Sequence, residues 1–315
     1  MFNNNIARQN STLGSVVISG ASSGIGEATA IYLDRLGYQV FAGVRRETDA
    51  LSLVQKSSGT IIPIILDVTD EASITAAIDL VKMRSDSGGL TALINNAAIV
   101  IPSILEFMPI DEMKKEFEVN VFGLVALTKA CIPLLRKAKG KVVNISSLSG
   151  KLSMPTIGTY SASKFAVEAI SDALRLELKA WEIDVCIVQP GLIKTAVWEK
   201  SRGHGSRLWD SLPAEKKQLY ATEFEIMYEY TKRSFQDGIP REKVAETIGK
   251  AVSAKRVKAR YPVGIDTKIV VFLARFVPAL LLDKIVTLFL GYPTKVKTET
   301  IFQSPETIRQ LQPKG

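Results

Sequence analysis

The sequence predicts an α/β fold: a doubly wound parallel sheet with helices on both faces and a C-terminal helical extension. Three observations carry this. Short apolar, β-branched runs alternate with longer helical patterns through the first two-thirds of the chain. Such alternation builds βαβ units, and their right-handed crossovers wind a parallel sheet in both directions. A glycine-rich turn follows the first apolar run and opens directly into a helical pattern. The chain has 315 residues, 46% hydrophobic and 23% charged, enough to bury the core such a sheet requires.

In order, the strand runs are 16–18, 39–42, 61–66, 92–94, 142–145 and 185–188, with Pro63 weakening the third. Helical patterns fill 25–36, 70–84, 111–137 and 161–181. No repeat or low-complexity linker divides the chain. The expected organisation is a flexible tail over 1–15 and a single domain over 16–315. The tail is polar and asparagine-rich and lacks an apolar signal core. The two cysteines, Cys131 and Cys186, lie in a helical run and a strand run and read as buried small hydrophobes. A cytoplasmic setting follows.

A single histidine serves the whole chain. That excludes a His-rich zinc site and argues against a Ser-His-Asp triad, so no metal is expected. His204, within Arg202-Gly203-His204-Gly205, reads as a solvated loop residue. The formal net charge of +8 is a mild excess, concentrated at Lys250, Lys255, Arg256, Lys258 and Arg260. No nucleic-acid partner is expected.

The turn after the first strand runs Ser19-Gly20-Ala21-Ser22-Ser23-Gly24-Ile25-Gly26. Glycines allow a tight turn and close approach of backbone to a pyrophosphate, and the helix that follows offers free N–H groups to the phosphates. Placed between strand and helix, Gly20, Ser22, Ser23, Gly24, Ile25 and Gly26 are read as a dinucleotide site of the Rossmann type. At the end of the second strand an acidic residue would select NAD. This chain has Arg45 and Arg46 there, and a guanidinium can clamp a 2′-phosphate. NADP(H) is therefore expected over NAD(H), with Arg45 the main clamp and Arg46 a helper. Asp67 and Val68, after the third strand, stand where an adenine would be met, although Asp67 also suits an ordinary strand end.

Tyr160 and Lys164 are four residues apart in a helical pattern and so share a face. A cation about 4 Å from a phenol, at an effective dielectric near 20, contributes roughly 4 kcal/mol toward the phenolate. That is expected to bring the phenol into the range of a proton-transfer catalyst. Taken alone, such a pair also arises by chance in many helices.

Together these motifs resemble the short-chain dehydrogenase/reductase family. The matching residues are Gly20-x-x-x-Gly24-x-Gly26, Asn95-Asn96-Ala97-Ala98, Asn120, Ser146-Ser147, Tyr160-x-x-x-Lys164 and Pro190-Gly191, in the family's order across roughly 15–200. Two departures are mild: Ser19 stands for the usual threonine and Ala98 for the usual glycine. The resemblance implies that Tyr160 is the general acid/base and that Lys164 lowers its pKa while binding the nicotinamide ribose. It implies that Ser147, by its spacing to Tyr160, bonds the substrate oxygen, and that Asn120 holds a water in a proton relay. Asn96 and Ala97 would belong to the cofactor site, and Pro190, Gly191 and Thr195 would border the nicotinamide. A homo-oligomer, dimer or tetramer, is implied as well.

In such proteins the region over 200–240 covers the substrate. Here 208–238 reads as a polar helix carrying Tyr220, Phe224, Tyr228, Tyr230 and Phe235. A helical aromatic stripe also suits ordinary packing. The stretch from Arg260-Tyr261-Pro262-Val263-Gly264 onward is similar to the retinol and hydroxysteroid dehydrogenase branch of the family. The apolar extension over 265–292 is interrupted by Arg275, Pro278, Asp283 and Lys284. It is expected to form two short helices meeting near Pro278 that cover a pocket, pack on a subunit or touch a membrane surface. The expected activity is NADP(H)-dependent interconversion of a lipophilic alcohol and its ketone or aldehyde, retinoid-like or steroid-like. A 3-oxoacyl carrier-protein reductase and a redox-inactive nucleotide-binding regulator are the alternatives. The first does not need the apolar extension, and the second does not need Asn120, Ser147, Tyr160 and Lys164 together.

Overall fold

The computed structural model describes residues 12–85 and 88–293. Its strands are β1 (Ser15–Ile18), β2 (Gln39–Val44), β3 (Ile61–Ile65), β4 (Ala92–Asn95), β5 (Lys141–Ile145), β6 (Asp184–Pro190), β7 (Ile193–Lys194), β8 (Ile239–Pro240) and β9 (Arg260–Val263). Its helices are α1 (Gly24–Arg35), α2 (Glu47–Gln55), α3 (Glu71–Arg84), α4 (Ile110–Phe117), α5 (Gly123–Ala138), α6 (Gly158–Glu177), α7 (Ala196–Asp210), α8 (Ala214–Asp237), α9 (Arg241–Ser253), α10 (Ile265–Phe276) and α11 (Ala279–Leu290). Seven strands form one sheet in the order β3-β2-β1-β4-β5-β6-β9, and every pairing in it is parallel. β7 and β8 pair separately.

Successive strand residues face opposite sides of the sheet, so each strand feeds two cores. On one side Val16, Ile18, Val40 and Ala42 pack with Ala30 and Leu33 of α1 and Val244 and Ile248 of α9. On the other, Val17 and Phe41 pack with Ile74 and Ile78 of α3 and Leu127 and Cys131 of α5. Both cysteines are buried as small hydrophobes, and burial pushes each thiol up to about 12. Residues 1–11 of the expected tail lie outside the described residues; within the rest of that stretch the Leu13 N–H donates to the Gly37 carbonyl at 3.0 Å.

The sheet is one strand wider than the sequence reading anticipated. β9 is short and contains Pro262, but it is an edge strand, where a missing N–H is tolerated. Arg260 within it donates to Glu168 at 2.9 Å and Asp172 at 2.7 Å, so it leaves the basic patch, whose other four members are exposed. The helix expected over 208–238 is instead two, because Ser211-Leu212-Pro213 ends α7 and starts α8. Phe224 stacks on Trp209 at 4.1 Å and near Tyr228, while Tyr220 meets Phe107 and Tyr230 meets Phe289 of α11 edge-on. The Phe235 side chain lies outside the described residues. The apolar extension forms α10 and α11, meeting at Val277-Pro278 as expected.

Candidate active site

In an open parallel sheet, ligands settle beyond the carboxyl ends of the strands where the winding reverses. Here that point lies between β1 and β4, and a cleft of about 490 Å³ opens there. The β1–α1 turn lines it with Gly20, Ser22, Ser23 and Ile25. Arg45 follows from the end of β2, Asp67 and Val68 from the end of β3, and Asn96 and Ala97 from the end of β4. Ser146, Ser147, Tyr160, Lys164, Pro190, Gly191 and Thr195 complete the sequence-predicted lining.

The turn fits a bound pyrophosphate because its glycines leave no side-chain bulk in the way. Gly20 has φ +68°, and a Cβ there would lie 2.9 Å from the Ala97 Cα. A Cβ on Gly26 would lie 2.2 Å from the Gly20 carbonyl oxygen, so Gly26 acts by packing, while Gly24 supplies a left-handed backbone at φ +60°. Asn96 ties the turn down, donating from Nδ2 to the carbonyls of Ser19 and Gly20 at 3.0 Å each. The Ser19 hydroxyl accepts the N–H groups of Asn96 and Ala97, both at 3.1 Å, so the serine performs the anchoring a threonine would.

Arg45 reaches the cleft, and Arg46 does not. Arg46 donates to both oxygens of Asp49 at 3.0 Å in an exposed pair at the start of α2, because an acid three residues on captures it. The expected helper role for Arg46 therefore has no support in the geometry. Burial works against the Asp67 carboxylate, but the Thr69 N–H and hydroxyl, with the Arg45 guanidinium, outweigh it and hold it below its ordinary range.

Tyr160 and Lys164 are both buried on the cleft-facing side of α6. The Lys164 ammonium donates to the Ile145 carbonyl at 2.9 Å and lies 5.7 Å from the Tyr160 ring centre. The expected lowering of the phenol is not found in this arrangement. Burial pushes Tyr160 up to about 12; the facing Ser147 hydroxyl opposes this and the Glu116 carboxylate adds to it. Burial lowers Lys164 to about 8, with Glu116 opposing. Removal from water outweighs the cation that sequence spacing alone would credit. At neutral pH the site thus holds a protonated phenol, with a serine hydroxyl facing it. Ser147 also accepts the Ser149 N–H at 3.1 Å, which fixes its rotamer, while the buried Ser146 hydroxyl has no hydrogen-bond partner.

Asn120 sits in a π-helical turn, Glu118–Phe122, between α4 and α5. The widened turn accounts for an asparagine inside a helical run, since such turns offer side chains a place in the backbone hydrogen-bond pattern.

Four polar lining residues escaped the sequence reading, Lys115, Lys200, Ser201 and His204, as did the apolar wall that includes Ile99, Val100, Ile101 and Val197. His204 is not a solvated loop residue. It lies inside α7, about a quarter exposed, with Nε2 3.2 Å from Glu112 on α4. Flanking glycines suggested a loop, but Gly205 is there for contact: a Cβ would stand 3.0 Å from the Pro102 carbonyl oxygen. Glu116 was missed as well, although its place four residues before Asn120 puts it on the same helical face.

A family model described as short chain dehydrogenase matches residues 15–205. An NADPH-dependent 3-dehydrocapnine reductase from Ornithobacterium rhinotracheale is 35% identical, over 85% of this chain and 94% of its own length. Retinol dehydrogenase 7 from Mus musculus is 36% identical, over 85% of this chain and 86% of its own. Among solved structures, a short-chain dehydrogenase from Streptomyces avermitilis superposes with a TM-score of 0.70 at 25% identity, over 91% of this chain and all of that one.

Proposed function

Because this chain belongs to the short-chain dehydrogenase/reductase family of NAD(P)-dependent oxidoreductases, we propose that it interconverts a lipophilic ketone or aldehyde and its alcohol, using NADP(H), with Tyr160 as general acid/base. The observation that carries this reading is the buried phenol of Tyr160, faced by Ser147 and flanked by the buried Lys164 within the cleft.

The glycine turn and the N-terminus of α1 would receive the pyrophosphate, Arg45 the 2′-phosphate, and Asp67 and Val68 the adenine end. Lys164 would hold the nicotinamide ribose, and Pro190, Gly191 and Thr195 would border the ring. Bound NADP(H) supplies or accepts the hydride. Ser147 orients the substrate oxygen, and Tyr160 gives that oxygen its proton in reduction or takes it in oxidation. Asn120 positions the wall beside them and serves the proton relay to Lys164. The preference for NADP(H) rests on Arg45 where an acidic residue would suit NAD, and it agrees with the NADPH dependence in the name of the reductase relative.

The lipophilic substrate class rests on the retinol dehydrogenase relatives and on the cleft's apolar lining, Ile99, Val100, Ile101 and Val197. α10 and α11 expose Ile265, Phe272, Phe276, Leu280, Leu288 and Phe289, while Lys255, Arg256 and Lys258 are exposed nearby in sequence. The pairing of apolar and basic surface suits peripheral contact with an anionic membrane on the cytoplasmic side. A homo-oligomer is also part of the proposal and is read by light scattering. The test of function is nicotinamide absorbance with two panels, lipophilic ketones and alcohols against 3-oxoacyl thioesters. Turnover with the first supports the reading, and turnover confined to the second replaces it with carrier-protein reduction.

A further inference from the structure

α4 and the π turn reach the candidate site through two residues one helical turn apart, Glu116 and Asn120. Asn120 is bound to Ile99 and Ser163 through both its amide hydrogens and its oxygen. Glu116 is fully buried, and its Oε1 accepts the Ile101 N–H at 2.9 Å. Its Oε2 is buried without a hydrogen-bond partner. The facing rungs on α6 are Thr159 and Ser163, also four residues apart. Asn120 takes Ser163 at 3.0 Å, which leaves Glu116 opposite Thr159, whose buried hydroxyl faces the carboxyl without closing a well-formed hydrogen bond. Tyr160 is the next residue along α6, and Val100, beside the anchored Ile101, packs on its ring. A buried carboxyl with a spare oxygen is costly; Lys114 and Lys115 beside it in sequence turn to Asp111 and Glu112, and Lys164 is the cation that offsets it.

We propose that Glu116 is a positioning residue that holds the Tyr160–Lys164 pair in its protonated state and so raises the pH at which alcohol oxidation sets in. The inference rests on the reading of Tyr160 as the proton donor. A negative charge beside the pair opposes the phenolate and favours the ammonium, and Glu116 acts in this sense on both residues. Burial pushes Glu116 itself up, while Thr159, the Ile101 N–H and the Lys164 cation pull it back. Two other carboxylates around the site, Glu168 and Glu112, already have partners. Glu168, one turn beyond Lys164, is bound by Lys151 from the segment after β5 and by Arg260 from β9. Glu112 of α4 is shared by Lys115 at 3.9 Å and His204 of α7 at 3.2 Å.

In reduction the Tyr160 O–H bond would break and its proton pass to the carbonyl oxygen, leaving the phenolate; NADPH held in the cleft would supply the hydride for the carbonyl carbon and be left oxidised, and the phenolate would regain its proton from solvent. Oxidation starts from the phenolate, the state that Glu116 disfavours.

The test is Glu116→Gln, which keeps an acceptor for Ile101 and removes the charge. Lysine Cε signals of the cofactor-free full chain are titrated by NMR, with Lys164 assigned by its loss in Lys164→Met. The midpoint of Lys164 is expected to fall by about one pH unit in Glu116→Gln, the scale of a nearby unit charge. The pH at which alcohol oxidation rises should fall with it. An unchanged midpoint overturns the proposal, even where Tyr160→Phe abolishes turnover. Undiminished turnover of Tyr160→Phe overturns the underlying reading instead. Should Glu116→Gln fail to fold by circular dichroism, Glu116→Met carries the same expected shift and the same contradicting result.

Discussion

Asn120 and Ile99 hold each other twice: the Ile99 N–H donates to Asn120 Oδ1 at 2.8 Å, and Asn120 Nδ2 donates to the Ile99 carbonyl at 2.9 Å. The same Nδ2 reaches Ser163 at 3.0 Å. One side chain thereby fixes the segment after β4, the π turn and α6, the three elements that meet at Tyr160.

Replacing Asn120 with Ala strips partners from a backbone N–H, a carbonyl and the Ser163 hydroxyl. Buried groups left unpaired cost about 1–3 kcal/mol each before relaxation. Unfolding in urea should show a loss of at least about 2 kcal/mol, and turnover should fall with it. A variant as stable as the wild type would mean that water or a rearranged loop replaces these bonds.

Arg45→Ala tests the cofactor clamp. Loss of a charge-assisted bond to a 2′-phosphate is worth about 1.5–3 kcal/mol, so NADPH should bind roughly tenfold or more weakly. NADH binding should barely change. Equal losses for both cofactors, or a wild-type preference for NADH, contradict the assignment. Arg46→Ala should leave both affinities unaltered, since Arg46 is held by Asp49.

Lys164 gives a pH signature in stability. Burial lowers it to about 8 in the folded chain, against about 10.4 in an unfolded one. Between these values the unfolded state binds more protons, so this contribution to stability rises with pH across the window. Lys164→Met removes the cost of burying the charge. Its stability relative to the wild type should be highest near pH 7 and should shrink by about 2 kcal/mol by pH 10. A difference that stays flat over that range would show that the ammonium is better solvated than its burial implies.

The exposed apolar faces of α10 and α11 predict co-sedimentation with anionic vesicles at low salt, weakened as salt screens Lys255, Arg256 and Lys258. Protein left in the supernatant under those conditions would assign the surface to another subunit.

How far the sequence could be read followed the range of the interactions involved. Local rules located β1, the glycine turn and α1, because strand periodicity and the need for bare backbone are written in consecutive residues. They also placed Tyr160 and Lys164 on one face. They failed where distant segments decide. β9 is a strand because it pairs with β6, not because of its own composition. His204 is helical and faces the cleft because Gly205 packs on Pro102 from another segment. The phenol's protonation could not be judged from the i, i+4 spacing to Lys164, because desolvation, the larger effect, depends on everything packed around it. Arg45 and Arg46 looked alike until Asp49 captured one of them.

The most direct test of the central claim is the turnover of Tyr160→Phe with NADPH and a lipophilic ketone, measured beside the affinity for NADPH. The change deletes one hydroxyl and keeps the ring that packs on Val100 and Ile157. The expected result is a loss in kcat of at least roughly a hundredfold, with NADPH binding little altered. Near-normal turnover in this variant would contradict the claim that Tyr160 supplies the proton.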